Sequence, residues 1–365
     1  MTAAQLREIL KSNLLTVAAP EAGSTALPED YIQAGAHILL APACRFMNDE
    51  EADTLAELFE AAADRAFVAG RLQQPAEAIA DDAAYEAYYR TVMKQAEWLE
   101  NMGVSLLFLT DFTDVLAAKC AVYAVREALG PDMPICVGVQ PYNDEGDDES
   151  AVKRAISMLL TLQSLEVCSV GCSGIDVEDC MYILTELQAF TTVPLFSLAE
   201  SGCCLRPESY SDYIPSLVHA KCAMTGLLHS SPAYTAAGVK GGWQFAPLRP
   251  DFPVVNAISS RDSALFYDFS GKAVSRNRAQ IEIKTEKKAE MEQALALFNQ
   301  PGTAPVCFSV RDIELLEYAV MHYAGRPAVR SDEYGEITAK ELGALVLPIR
   351  VPKENETKTD EETTK

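Results

Sequence analysis

The sequence lacks any long apolar run, since no stretch approaches the roughly 20 apolar residues that a membrane-spanning helix needs. Its first residues, MTAAQLREIL, also lack the charged start and apolar run of a secretion signal, so we expect a cytoplasmic protein. Basic residues are scarce, because 30 Lys and Arg stand against 53 Asp and Glu, for a formal net charge of −23. A surface this acidic repels nucleic acid and anionic lipid, so we expect neither as a partner.

The sequence also contains few histidines and no glycine-rich motif of the kind that binds nucleotides. The chain has four histidines, and none stands in a pattern that suggests a Ser-His-Asp arrangement. No GxGxxG follows the first predicted strand and no phosphate-loop pattern is present, which disfavours nucleotide-binding sheets. Cysteine is more frequent, with ten residues, and in a chain without a secretion signal this indicates reduced thiols. Many lie in apolar strings such as PICVGV, where a small buried side chain is the simplest interpretation.

Short apolar runs alternate with longer amphipathic segments over about the first 240 residues. The eight runs that we predict as strands are LLTVA, HILLA, AFVAG, SLLFLT, PICVGVQ, EVCSVG, VPLFSLA and AMTGLL. The segments after them have helical spacing or helix-start signals, as in DEEADTLAELFEAAADR, which carries acidic residues in its first turn. Eight such units predict a closed (β/α)₈ TIM barrel, an α/β fold, with a doubly wound open sheet as the alternative.

The alternation of strand-like and helix-like segments ends after Gly242, where PLRPDFP is typical of a Pro-rich linker. Residues 250–351 contain further short apolar runs and two strongly helical segments. They predict a small α/β C-terminal domain that follows a barrel of residues 1–245. The last residues, 352–365, have no apolar content, so we expect a disordered tail.

Four segments at predicted strand ends share a common pattern. They are YIQAGAHILLAPACRF, QAEWLENMGVSLLFLTDFTDVLAAKCAVYAVRE, SVGCSG and TGLLHSSPAYTAAGV. In order and spacing they resemble the homocysteine S-methyltransferase family, the homocysteine-binding barrel of the cobalamin-dependent methionine synthase type, over roughly residues 5–240. The resemblance implies the same barrel that the eight-unit pattern predicts, and a role in methionine biosynthesis.

A zinc site is the cofactor that this resemblance implies. In the family, three cysteines, one at the end of strand six and a pair at the end of strand eight, hold a zinc ion that binds the substrate sulfur as thiolate. Cys172 matches the first cysteine, but Leu227 and Leu228 match the pair, and leucine cannot ligate metal. The resemblance therefore implies a degenerate site. Cys203 and Cys204, in a Gly-Cys-Cys that follows strand seven, are the alternative ligands, because strand ends converge on one barrel face.

Substrate-binding candidates come from the same comparison. The family's strand-four Glu, which helps to hold the amino acid, falls on Thr110, with Asp111 next to it. The family's first-strand loop leaves Gly23 as a remnant. Gln140 and Glu200 are further polar residues at predicted strand ends that could bind the amino group or carboxylate of a small molecule. No residue is assigned a catalytic role.

Cys44 and His229 also end predicted strands and could serve as substitute ligands, although an ordinary packing or polar role is the simpler interpretation. The sequence thus predicts a homocysteine S-methyltransferase-like protein that transfers a methyl group to a thiol or related small acceptor, with an altered or lost zinc site. The alternatives are a non-catalytic small-molecule-binding or regulatory protein on a degenerate barrel, and unrelated lyase or isomerase chemistry. No cobalamin-binding domain fits in the remaining residues, so a free small molecule or a separate protein would supply the methyl group. The sequence names neither substrate nor donor.

Overall fold

The computed structural model describes residues 1–20, 25–75, 77–142, 147–200, 206–242, 255–267 and 280–347. Eight parallel strands close into a barrel in which each strand pairs with the next and the eighth pairs with the first. The strands are β1 (Leu15–Pro20), β2 (Ile38–Ala43), β3 (Phe67–Gln73), β4 (Leu107–Phe112), β5 (Ile135–Val139), β6 (Ser169–Ser173), β7 (Leu195–Glu200) and β8 (Cys222–Ser230). This topology confirms the predicted TIM barrel, and the open-sheet alternative is wrong.

Helices precede the first strand and follow each strand of the barrel. They are α1 (Ala3–Ser12), α2 (Pro28–Gln33), α3 (Asp49–Ala62), α4 (Asp82–Asn101), α5 (Val115–Leu129), α6 (Asp148–Leu162), α7 (Val177–Leu187), α8 (Pro207–His219) and α9 (Pro232–Gly242). Local sequence sets many of their starts: the side chains of Asn48, Asp81, Asp114 and Asp147 each accept a backbone N–H in the first turn of the helix they precede. None of the helices described is both long and apolar enough to cross a membrane.

The side chains of the barrel strands belong to two apolar layers. One layer fills the barrel interior, where Phe108 and Phe196 meet edge to face with ring centroids 5.5 Å apart. Gly171 lies against Phe196, and a Cβ there would be 2.0 Å from the Phe196 carbonyl oxygen, so only glycine fits. The alternate residues point outward and pack under the helices. This alternation decides which strand-end side chains reach the open end of the barrel.

The described residues of the C-terminal part form a hairpin, a four-stranded parallel sheet and three helices. The elements are β9 (Ala257–Ser259), β10 (Ala264–Phe266), β11 (Ile281–Ile283), α10 (Lys288–Phe298), β12 (Val306–Phe308), α11 (Ile313–His322), β13 (Ala328–Val329), α12 (Glu333–Glu341) and β14 (Leu345–Val346). The three helices and one face of the four-stranded sheet form one apolar core. The hairpin and other residues of the same sheet form a second apolar core. A small α/β architecture is therefore confirmed. The boundaries near residues 245 and 250 stay a prediction.

The C-terminal part packs on helices α5 and α6 of the barrel. Lys119 of α5 is buried, and its ammonium group donates to the backbone carbonyls of Val320, Tyr323 and Gly325. The hydroxyl oxygens of Thr161 on α6 and Ser259 on β9 lie 2.9 Å apart. These contacts place α11 and the hairpin beside the barrel, on the outer side of its helix layer.

Candidate functional site at the barrel mouth

The carboxyl-terminal ends of the eight barrel strands open on one face, which we call the barrel mouth. In TIM barrels this face carries the functional residues. Polar side chains from four neighbouring strands gather there, and they belong to Arg71, Gln73, Thr110, Asp111, Gln140 and Ser173. Thr110, Asp111 and Gln140 are candidates that the sequence pattern predicted. Arg71, Gln73 and Ser173 were not predicted.

An ion pair between strands β3 and β4 forms the centre of this cluster. Arg71 Nη2 lies 2.7 Å from Asp111 Oδ2, and the two side chains are only 5% and 19% exposed. Arg71 Nε donates to the hydroxyl of Thr110 at 2.9 Å, and that hydroxyl donates in turn to Asp111 Oδ2 at 3.1 Å. Gln73 Nε2 donates to the same carboxylate oxygen at 2.7 Å. Three neighbours therefore fix one oxygen of Asp111.

The backbone of Asp111 is also held in an uncommon conformation. Its φ is +63°, and the register between β4 and β5 shifts between Leu109 and Phe112. Aspartate tolerates the left-handed region better than most residues. The N–H of Asp111 donates to the hydroxyl of Ser173 on β6 at 2.7 Å, which places the residue across the mouth. This local turn of the backbone brings the Asp111 side chain to the mouth, beside Arg71 and Gln73.

The second carboxylate oxygen of Asp111 has no fixed partner. Oδ1 is buried and makes no hydrogen bond to any residue that the structure describes. A Cβ placed on Gly174 would lie 2.9 Å from this oxygen and 3.6 Å from Oε1 of Gln140, so both oxygens face the same point. Gly174 itself has φ +71°, which favours glycine. Both oxygens therefore lie close to Gly174, where a side chain would crowd them.

The rim beside this cluster is formed by residues after β2. The N–H of Cys44 donates to the carbonyl of Arg71 at 2.9 Å, and Arg45 donates to Gln73 Oε1 at 3.0 Å. The Cys44 thiol faces Glu51, and burial together with that carboxylate raises its pKa to about 12. Cys44 is therefore a protonated thiol at neutral pH.

Comparison with known families settles where the barrel belongs. The family described as homocysteine S-methyltransferase matches residues 3–226, which is more than half of the chain. The chain belongs to this family. The match ends at Gly226, immediately before Leu227 and Leu228.

A solved structure agrees with this assignment at the level of the fold. The apo form of the homocysteine methyltransferase MmuM from Escherichia coli has a TM-score of 0.50 and 17% identity, covering 63% of this chain and 97% of its own. The metallated form of the same enzyme gives a TM-score of 0.49 and 19% identity, covering 64% of this chain and 98% of its own. Comparison with the curated proteins gives no significant match.

The cysteine that resembles the family's strand-six ligand does not point into the mouth. Cys172 is fully buried in the layer between strands and helices, and burial together with Cys180 of α7 raises its pKa well above that of a free thiol. The next residue, Ser173, faces the mouth instead, through its contact with the Asp111 N–H. The position that SVGCSG matched to the family's strand-six ligand therefore faces the helix layer in this structure.

The two leucines on β8 do not converge with Cys172 either. Cys172 pairs with Ser197 of β7, and Ser197 pairs with Thr225 of β8. Leu227 and Leu228 therefore lie two and three residues beyond the position on β8 that is in register with Cys172. Leu227 belongs to the outer apolar layer and Leu228 to the barrel interior. The three positions therefore lie at different levels, and their side chains do not share one face.

The remaining metal candidates do not assemble a site within the described part of the chain. Residues 1–20, 25–75, 77–142, 147–200, 206–242, 255–267 and 280–347 contain no group of three His, Cys, Asp or Glu side chains that could hold a metal ion. His229 is exposed, with φ +52°, and Glu200 ends β7 beside Leu228. Cys203, Cys204 and Gly23 lie outside the described residues. The described residues thus do not fit the zinc centre that the family implies.

Proposed function

We propose that the barrel mouth binds a small molecule that carries an amino group, homocysteine or a related methyl acceptor. We further propose that any methyl transfer to this molecule uses an altered site, without the family's three-cysteine zinc centre. The observation that supports the proposal is the unpartnered Oδ1 of Asp111, which is buried beside Gln140 Oε1. A buried carboxylate oxygen without a partner is costly, so a ligand that donates to it gains binding energy.

The charge arrangement favours an ammonium group at this point. Oδ2 of Asp111 is occupied by Arg71, Thr110 and Gln73, so only Oδ1 is left for a ligand. Two acceptor oxygens facing one point suit the N–H donors of an amino group. A carboxylate or thiolate at the same point would meet repulsion from both oxygens.

The proposed site includes no zinc ion to bind the substrate sulfur as a thiolate. A free thiol has a pKa near 8.5, so only a few per cent is thiolate at neutral pH. Leu228 points into the barrel interior near the mouth, and apolar surroundings disfavour a thiolate further. We therefore expect slow methylation of homocysteine, with the methyl group supplied by a free small molecule or a separate donor protein.

The second candidate is a non-catalytic protein that binds an amino-acid-type ligand for regulation. The same side-chain directions on β6 and β8 support it, because binding through Asp111 needs no metal. Both candidates predict ligand binding, and only the first predicts turnover.

The test combines binding, metal content and turnover on the full-length protein. Calorimetric titration with L-homocysteine and with L-methionine should give saturable binding, and we expect Asp111→Asn to weaken it at least tenfold. Zinc per chain and methyl transfer from S-adenosylmethionine are measured on the same preparation. Equal affinity of wild type and Asp111→Asn would refute the proposed binding mode. Turnover that disappears in Cys203→Ala or Cys204→Ala would instead establish a relocated thiolate site.

A further inference from the structure

The carboxyl ends of three neighbouring strands in the C-terminal sheet open on one cavity. Strands β11, β12 and β13 are parallel and adjacent. The residues at and after their ends, within 282–286, 309–311 and 330–332, line a cavity of about 560 Å³. In open parallel sheets, ligands bind outside the carboxyl ends of the strands. All of the lining residues belong to the C-terminal part, so this cavity is distinct from the barrel mouth.

Arg330 supplies the most informative side chain of the cavity. Its side chain is only 10% exposed, and its Nη1 lies 3.4 Å from Glu282 Oε1 and 3.4 Å from Cys307 Sγ. Its Nε is buried without a hydrogen-bond partner, and no hydrogen bond between described residues uses its Nη2. The Nε–Nη2 edge of a guanidinium is the edge that pairs with a carboxylate or phosphate through two parallel bonds. A buried N–H left unpaired indicates that an acceptor is missing.

The acidic residues around the cavity already have partners. Glu282 Oε1 accepts the hydroxyl of Ser309 at 2.6 Å, a contact that lowers the Glu282 pKa. The carboxylate of Glu286 lies 3.4 Å from the backbone N–H groups of Arg311 and Asp312 at the start of α11. Asp332 accepts the N–H of Gly335 at 3.0 Å and so caps α12. These three carboxylates therefore stabilise the protein itself.

The basic residues are less completely paired. Arg311 forms no ion pair with any residue in the described part of the chain, and Lys284 is 3.6 Å from Glu282, which Arg330 also contacts. Helices α11 and α12 begin at this edge, and the carboxylates of Asp312 and Asp332 cap them. Three basic against three acidic side chains suit one anionic group better than a polyanion.

We propose that this cavity binds a single carboxylate or phosphate group of a small molecule, with the Nε–Nη2 edge of Arg330 as a bidentate donor and Arg311 as a second cation. The volume lies in the range of small-molecule sites, roughly 300–1,000 Å³. The site is independent of the methyl-acceptor site proposed above.

The test measures the unfolding midpoint of the full-length protein against inorganic phosphate and against acetate, each at constant ionic strength. Saturable stabilisation by one probe is expected, and the stronger probe identifies the ligand as a phosphate ester or a carboxylate. Arg330→Lys keeps the charge but loses the planar fork, and Arg311→Gln changes an exposed side chain that leaves the core intact. Each should weaken the apparent affinity at least tenfold, about 1.4 kcal/mol.

Two controls separate this site from the rest of the molecule. Arg90→Gln removes an arginine that is 74% exposed on α4, and it should respond to the probe like wild type. Asp111→Asn should also respond like wild type, because it changes only the barrel mouth. The proposal is overturned if neither probe stabilises the wild type saturably up to about 30 mM, or if Arg330→Lys and Arg311→Gln both respond as the wild type does.

Discussion

Arg71 and Asp111 face each other across strands β3 and β4, with Nη2 and Oδ2 2.7 Å apart and both side chains largely buried. The pair is partly accessible on the aspartate side only, where the side chain is 19% exposed. Arg71 therefore holds one oxygen of Asp111, and the other, Oδ1, is buried without a hydrogen-bond partner among the described residues. Each variant of this pair should affect both stability and ligand binding.

Asp111→Asn is expected to lower the free energy of unfolding by about 1–3 kcal/mol, because it leaves the buried Arg71 charge uncompensated. Asparagine also tolerates positive φ, so the backbone of the strand end is kept. Chemical denaturation measures the effect. Asp53→Asn, an exposed carboxylate on α3, is the matched control and should change stability by less than about 0.5 kcal/mol. A loss no larger than that of the control would show that the ion pair is not structurally important.

Gly174→Ala is expected to block the ligand space beside Asp111. The added Cβ would lie 2.9 Å from Oδ1, and the φ of +71° adds strain of about 1 kcal/mol. Gly302→Ala provides a control, since Gly302 has φ +78° but a methyl group added there would have nothing within 4 Å. Both variants should lose similar stability, and only Gly174→Ala should lose binding of L-homocysteine in calorimetric titration. Loss of binding in both would point to a general effect of backbone strain.

The double variant Leu227→Cys/Leu228→Cys is expected not to create a three-thiolate zinc site with Cys172. Zinc–sulfur bonds are about 2.3 Å, so the three sulfurs must converge on one point. Cys172 and Leu227 face the helix layer and Leu228 faces the barrel interior. Zinc per chain, measured by plasma mass spectrometry, should be the same in this variant and in wild type. An added equivalent of zinc that is lost with Cys172→Ala would contradict these side-chain directions.

Lys119 should make stability depend on pH. Burial lowers its pKa to about 7 in the folded protein, against an ordinary value of 10.5. The folded state therefore binds fewer protons than the unfolded state between these values, and the Lys119 contribution to stability rises with pH across that window. Below about pH 7 the cost of burying the charge is fully present.

Lys119→Met removes this dependence. The difference in unfolding free energy, wild type minus variant, should shift in favour of wild type by about 2 kcal/mol between pH 7 and pH 9. Lys153→Met changes an exposed lysine on α6 and should leave the pH profile of wild type unaltered. A constant difference between wild type and Lys119→Met would mean that the three carbonyl acceptors keep Lys119 charged throughout.

The polar cluster at the mouth was only partly predictable. Thr110 was found through the family resemblance, which matches it to the strand-four Glu, and Asp111 and Gln140 were found as polar residues at predicted strand ends. Arg71 was missed although it carried a signal, since a charged residue within the apolar run AFVAGRLQ needs a buried partner. Ser173 carried no signal, because its role depends on the N–H of Asp111 two strands away.

The periodic apolar runs and their capping residues were enough to predict eight β/α units, because local alternation and helix-start signals act over only a few residues. The same runs, with the strand-end segments, were enough to predict the family. The direction of Cys172 was decided only by tertiary structure, since the pleat of β6 sends residue 172 outward and residue 173 inward. The approach of Arg71 to Asp111 was decided in the same way, because a 2.7 Å contact between residues 40 positions apart exists only once β3 pairs with β4.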